Sequence, residues 1–361
     1  MDRLRVAVIG VGGHGRNRHL VHYMRLPSVE VVAVADIDRD RLDRVSSEFR
    51  VRGYLDYVEM LDKERPDAVS VVTPTGLHAE VAVEAIRRGA HVLVDKPLAH
   101  SLGEALRVVS EAKHRGRILM VGYWSRFSPA LGYAIELRDG GALGGVYAAY
   151  AYLMRRRGIP GKATFIDRRL SGGGGALLDI GCYAIDNALA IMGFPKPVSA
   201  FGAIYTKFGR NPDEVRFNWG SWDPSSFELE DYAVGMVMFD NGASMLIEVG
   251  WAANVSHHGE EMRLRILGDR GGIEAIGHEA ITDISFHSRS ERYLYDAKPV
   301  LRKTSPDEMS FEMVKAFVDS VLGNREPPVT GEQSILVHAI IDAIYESARK
   351  GGEVRIRIPQ I

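Results

Sequence analysis

Gly10-Val11-Gly12-Gly13-His14-Gly15 fits the pattern G-x-G-x-x-G directly after the β-branched run Val6 to Ile9. Glycines so placed permit a tight strand-to-helix turn, let the backbone approach a pyrophosphate, and let helix and strand pack closely. The helix that follows offers unsatisfied N–H groups and a positive dipole end to phosphate oxygens. Asp36 stands about 20 residues on, at the end of a second apolar run, where a carboxylate can accept both hydroxyls of an adenosine ribose. It would repel a 2′-phosphate, and the next residue is Ile37 rather than an arginine, so NAD is the expected cofactor. Arg39 stands close enough to keep NADP open. Gly10, Gly12, Gly13, His14, Gly15, Asp36 and Ile37 form the expected cofactor set. The glycines alone are a weak signal; strand, turn, helix and acid together carry the reading.

A second group has residue types suited to moving a proton. Lys96, between a strand-like run and Pro97, can donate to a substrate hydroxyl and favour an oxyanion beside it. The segment from Gly174 opens a helix ending at Gly193, on which Asp179, Tyr183 and Asp186 are spaced to share one face. Leu178, Cys182, Ile185, Leu189 and Met192 form the adjoining apolar stripe, which makes Cys182 a small core residue. Two acids and a tyrosine in line also suit a solvated face. A phenol titrates near 10 when unperturbed, and a cation within about 4–6 Å would lower that; Lys96 is the candidate. Arg155-Arg156-Arg157 can grip a phosphate or carboxylate, or form a solvated run. His257-His258 has no third ligand at a recognisable spacing, so no metal is expected.

The elements that must position these groups change character along the chain. Val29 to Ala35, Ala68 to Val72, His91 to Val94 and Ile118 to Val121 read as buried parallel strands. They alternate with helices such as His78 to Arg88 and Leu102 to Arg115, each stopped by a glycine. That alternation predicts a doubly wound parallel sheet. From Val146 onward the pattern is alternating strands, with Asp240-Asn241-Gly242 as a hairpin turn between Tyr232–Phe239 and Ala243–Trp251. Glu261 to Leu267 is another strand, closed by a loop at 268–272; helices follow at Met309–Leu322 and Glu332–Lys350, then a strand at Glu353–Ile358. The polar stretch Gly209–Ser226 reads as a long surface loop. The expected fold class is α/β plus α+β: a Rossmann domain over 1–124, and over 125–361 a substrate and oligomerisation domain whose open, mostly antiparallel sheet has helices on one face.

Composition narrows the class further. At 361 residues two domains are expected. A net charge of −2 gives no reason to expect nucleic acid or an anionic membrane as partner. No apolar run reaches the roughly 20 residues that span a bilayer, and no secretory leader is read at the start. The single cysteine rules out an intramolecular disulfide and a multi-thiolate zinc site. A cytoplasmic location is expected.

Two further segments carry a family resemblance. Thr73-Pro74-Thr75-Gly76-Leu77-His78 resembles the T-P-x-x-x-H loop, and Asp95-Lys96-Pro97 the E-K-P motif, of the glucose–fructose oxidoreductase and inositol dehydrogenase family (Gfo/Idh/MocA). The likeness continues through Gly122-Tyr123-Trp124-Ser125-Arg126-Phe127, the glycines at 172–175 and the C-terminal helices. It implies that Thr73, Pro74, His78, Asp95 and Lys96 lie at the cofactor, with His14 near it. Asp95 is one methylene shorter than the family's usual glutamate. The family's D-x-x-x-H is matched at Asp179, with Tyr183 where histidine usually accepts the proton.

The implied reaction is hydride transfer between NAD and a secondary alcohol of a sugar-like or cyclitol substrate. Lys96, Tyr183 and Asp179 are then catalytic: Tyr183 accepts the proton, Lys96 polarises the oxygen, and Asp179 orients the substrate or Lys96. Asp186, Arg126 and Arg157 are assigned to the substrate. Two other readings stand beside it: a tightly held NAD that oxidises the substrate transiently for elimination or glycoside cleavage, and a non-catalytic ligand sensor. Retention of Lys96 and Tyr183 argues against the sensor. The open sheet face predicts a homodimer or homotetramer.

Overall fold

A computed structural model describes residues 3–217, 219–256 and 259–360, and His257-His258 lie outside the described residues. The described chain forms two compact units.

The first unit comprises residues up to Trp124 together with 305–334. Its sheet contains β1 (Leu4–Ile9), β2 (Val29–Ala35), β3 (Arg52–Tyr54), β4 (Ala68–Val71), β5 (His91–Asp95) and β6 (Leu119–Gly122). They lie in the order β3-β2-β1-β4-β5-β6, all parallel. The order reverses direction beside β1, which places a crevice at the carboxyl ends of β1 and β4. β4 is wholly buried and β1 nearly so, which is why both read as continuous apolar runs rather than alternating ones. Asp38, Asp56 and Ser101 cap the helices Arg39–Phe49, Tyr57–Glu64 and Leu102–His114 through their side chains.

Residues 305–334 pack with this unit, although they lie within the 125–361 stretch expected to form the second domain. Helix Pro306–Leu322 opens with a capping box between Ser305 and Glu308. After it the chain runs along β6: the Val121 N–H donates to the Val329 carbonyl at 3.1 Å, and Met120 bridges Thr330. This covers an edge strand that would otherwise present unpaired backbone groups. Helical periodicity in sequence says that a face is buried, not which sheet buries it.

The second unit holds a nine-stranded sheet. In chain order its strands are β7 (Val146–Arg155), β9 (Pro197–Tyr205), β11 (Tyr232–Phe239), β12 (Ser244–Gly250), β13 (Glu260–Gly268), β14 (Gly271–Gly277), β15 (Ile281–Arg289), β16 (Leu294–Ala297) and β17 (Val354–Arg355), while β8 (Pro160–Gly161) and β10 (Trp219–Gly220) pair separately. The order is β16-β15-β14-β13-β7-β12-β11-β9-β17, antiparallel except for β7 beside β12. One face is buried by helix Cys182–Met192, every residue of which is buried, and by Ile344, which packs on Gly202 and Gly235. On the other face Phe201, Val234, Met236, Met238 and Leu246 are exposed.

Several local expectations change. The loop at 268–272 shrinks to a turn at Asp269-Arg270 between β13 and β14, and the last strand covers two residues. Gly209–Ser226 is partly ordered by helical turns at Pro212–Phe217 and Pro224–Ser226 and by β10. Its start is held by buried Asp231, whose carboxylate accepts the N–H groups of Lys207, Phe208 and Gly209 at 2.6–3.0 Å. Phe317, in the returning helix, is fully buried. Phe317→Ala is expected to cost about 3–5 kcal/mol by urea unfolding, and a loss below about 1 kcal/mol would show the helix to be dispensable.

Candidate active site

The glycine turn of the first unit is sterically built. Gly10 has φ +87°, and a Cβ there would lie 2.4 Å from the Val72 carbonyl oxygen. A Cβ on Gly15 would lie 1.8 Å from the Gly10 carbonyl oxygen, so only glycine lets the following helix sit on the turn. Around Gly12 and Gly13, by contrast, an added Cβ meets nothing. That open space borders the start of the helical segment Gly15–Leu20, whose first turn is wide and π-type. The residues present therefore fit a dinucleotide pyrophosphate.

Asp36 ends β2 with its carboxylate buried, accepting the N–H groups of Val11 at 2.9 Å and Asp38 at 3.0 Å. Ile37 beside it is 90% exposed. Arg39 is exposed in the first turn of its helix; the arginine that reaches Asp36 is Arg41, which sequence spacing did not single out.

The Thr73-Pro74 loop and the Lys96-Pro97 loop are joined by His78. Its buried ring lies 2.7 Å from the Pro97 carbonyl and 2.8 Å from the Thr73 carbonyl. Burial lowers its pKa, so the neutral ring donates to one of the two carbonyls and packs against the other between the loops. Asp95 is buried, 3.0 Å from His14 Nδ1, and accepts the Lys96 N–H at 2.9 Å. Burial opposes its ionisation, yet His14, His19 and Lys96 outweigh that and hold the carboxyl well below the usual range. The anion in turn fixes the backbone at Lys96, whose side chain is half-buried and whose bond to Pro97 is cis.

In the second unit, the segment carrying the expected proton chemistry begins with a wide π-type stretch, Leu177–Gly181, and continues as helix Cys182–Met192. Such turns are rare and concentrate at functional sites. Asp179 is half-buried and accepts the indole N–H of fully buried Trp251 at 2.9 Å. Tyr183 is 6% exposed. Asp186 is fully buried and paired with Arg126, Nε to Oδ2 at 2.7 Å, while Arg126 stacks on Phe194. These two expected substrate residues are thus each other's partners, in a helix every residue of which is buried. Arg157 is engaged by Glu214 at 2.5 Å, by the Ala253 carbonyl and by Asn254. Arg155 pairs with Glu260 under Trp219, leaving Arg156 as the exposed member of the run. Among the described residues no cluster of three or more His, Cys, Asp or Glu could hold a metal.

Sequence reasoning missed the residue that seats this helix. Glu230, just before β11, is buried and accepts the N–H of Gly175 at 2.9 Å, the N–H of Leu177 at 3.0 Å and the Tyr345 hydroxyl at 2.8 Å. Its own carbonyl takes the Ala176 N–H at 3.1 Å. Gly175 must be glycine, since a Cβ would lie 2.0 Å from that carbonyl oxygen. Burial without a cation pushes the Glu230 carboxyl up to about 7 against these hydrogen bonds.

A parallel sheet whose glycine turn leaves room for a pyrophosphate, in a chain that continues into a second unit with a large mixed sheet, is the architecture of a two-domain dinucleotide-binding protein. Two family models match the chain: the oxidoreductase family's NAD-binding Rossmann fold over residues 4–123 and its C-terminal alpha/beta domain over 139–356. The chain belongs to the Gfo/Idh/MocA oxidoreductase family. It is similar to D-glucoside 3-dehydrogenase of Escherichia coli, 28% identical over 98% of this chain and 97% of that one. A D-xylose 1-dehydrogenase (NADP(+)) of Haloferax volcanii is 27% identical over 97% and 98%. The scyllo-inositol 2-dehydrogenase (NAD(+)) of Bacillus subtilis is 27% identical over 99% and 97%.

Glu230 gives a pH test of how the helix is seated. Its carboxyl titrates near 7 in the fold and at the ordinary 4.5 when unfolded, so its protonated form favours the fold. That stability is complete below the unfolded value and is lost as pH rises through about 7. Between pH 4.5 and 8, wild type should lose on the order of 3 kcal/mol more than Glu230→Gln in urea unfolding. Parallel profiles for the two proteins would contradict the assignment.

Proposed function

We propose that this chain catalyses reversible hydride transfer between a nicotinamide cofactor and a secondary alcohol of a sugar, sugar derivative or cyclitol. The observation that carries the cofactor half is the turn in which Gly10 and Gly15 tolerate no side chain while Gly12 and Gly13 face open space. Family membership and the sugar and cyclitol dehydrogenases named above support the substrate class. Bound NAD supplies the two-electron acceptor.

In this reading Tyr183 takes the hydroxyl proton as the carbinol carbon loses hydride. Lys96 donates to the same oxygen and stabilises negative charge on it. Asp179, held by Trp251, orients the substrate. Arg126 and Asp186 shape the site as a neutral buried pair rather than by binding a hydroxyl. Asp95 and His78 position Lys96 through the backbone of its loop.

We further propose that the exposed apolar face of the nine-stranded sheet, including Phe201, Met236 and Leu246, pairs with a second copy of the chain. No helix of the described residues is long and apolar enough to cross a membrane.

The purified protein, mixed with NAD and a panel of sugars, glycosides and cyclitols, is expected to release NADH with at least one of them. Silence across the panel with NAD retained by the protein would favour transient oxidation instead. Tyr183→Phe is expected to lower kcat by about 100-fold or more while NADH affinity changes little; full activity would remove Tyr183 from the proton path. Leu246→Glu combined with Met236→Glu should turn a dimer or larger assembly into monomer by light scattering at micromolar concentration. A monomeric wild type would refute the pairing.

A further inference from the structure

We propose that Arg41 sets the cofactor selectivity of this chain, neutralising Asp36 so that NADP is accepted alongside NAD. The inference rests on the nucleotide-binding reading above and concerns which dinucleotide the site admits.

A carboxylate at the end of β2 excludes NADP when it is free, because it takes the ribose hydroxyls and repels a 2′-phosphate. Asp36 is not free. Its Oδ2 accepts the Val11 N–H at 2.9 Å and its Oδ1 the Asp38 N–H at 3.0 Å. Arg41 Nη1 adds contacts to both oxygens, at 3.0 and 3.1 Å. Each oxygen therefore already has two donors, about what a carboxylate can accept. Ribose hydroxyls gain full hydrogen bonds from Asp36 only if Arg41 gives way.

The guanidinium is also the outward member of the pair. The Asp36 side chain is 4% exposed and that of Arg41 39%, so an anion arriving from solvent meets the cation first. Its place is fixed by the helix start: Asp38 caps helix Arg39–Phe49 by accepting the Arg41 N–H at 3.0 Å, and its other oxygen holds Arg41 Nη2 at 2.9 Å. A planar fork with five donors can leave one carboxylate for a phosphate while staying tethered to the other. Arg39, two residues earlier, makes neither contact to Asp36. Spacing from the acid points to the residue directly after it, whereas the folded helix brings the arginine five positions on.

The test is fluorescence titration of wild type, Arg41→Met and Arg41→Lys with NADH and NADPH, read as the ratio of the two Kd values. Wild type should bind both. Arg41→Met should shift the ratio toward NADH by about tenfold or more, the loss expected for a charge-assisted hydrogen bond, with Arg41→Lys between the two. The ratio cancels any general damage to the fold, since that weakens both cofactors together. A ratio unchanged in Arg41→Met, or a wild type that binds NADH and not NADPH, would overturn the proposal while leaving the nucleotide site intact. A wild type that binds neither would overturn the nucleotide-binding reading as well.

Discussion

Buried carboxylates that accept backbone N–H groups hold several of the loops and helix starts that carry the candidate site. Asp36 ties the glycine turn to the end of β2, Asp95 fixes the backbone at Lys96, and Glu230 seats the start of the helix that bears Asp179 and Tyr183. Asp231 gathers three successive N–H groups at the start of the 207–226 segment. Loops leave backbone donors unpaired, and a donor buried without a partner costs free energy comparable to a lost hydrogen bond. A carboxylate meets several such donors at once and fixes their geometry. Where cations stand beside the acceptor, as at Asp95, ionisation shortens and strengthens the hydrogen bonds it accepts.

The same device has different electrostatic consequences in different surroundings. Asp95 has His14, His19 and Lys96 around it and is held firmly ionised despite burial. Glu230 has backbone groups and a tyrosine hydroxyl but no cation, and its carboxyl rises to about 7. Asp186 lies between these cases: burial pushes its pKa up while Arg126 pulls it down. Local composition therefore decides whether a buried acid is a fixed charge or a titrating one.

Much of this was legible in sequence, and the reasons it stopped are physical. The parallel sheet showed itself because strands buried on both faces read as continuous apolar runs, as in β1 and β4. Glycine positions were legible because steric demands at Gly10 and Gly15 admit no other residue. The helix bearing Tyr183 was legible from its period, but the period does not record that its whole length is buried or that Asp186 pairs with Arg126. Glu230, Arg41 and Trp251 left no local signal. Each acts on residues far from it in the chain or folds back from an ordinary helix position, and no periodicity records that. Strands β9 and β14 were missed where glycine and alanine dilute the alternation, as in Gly271–Gly277; in β15 the polar residues Asp283, Ser285, His287 and Ser288 thin the apolar signal.

We propose that Lys96 and Tyr183 act on one substrate oxygen. A crystal structure of the enzyme with reduced cofactor and the oxidised product of a substrate identified by turnover tests it most directly. Lys96 Nζ and Tyr183 Oη are both expected within about 3 Å of the product's carbonyl oxygen. A carbonyl contacted by neither group, or by groups other than these two, would contradict the mechanism even if the cofactor lay where the glycine turn places it.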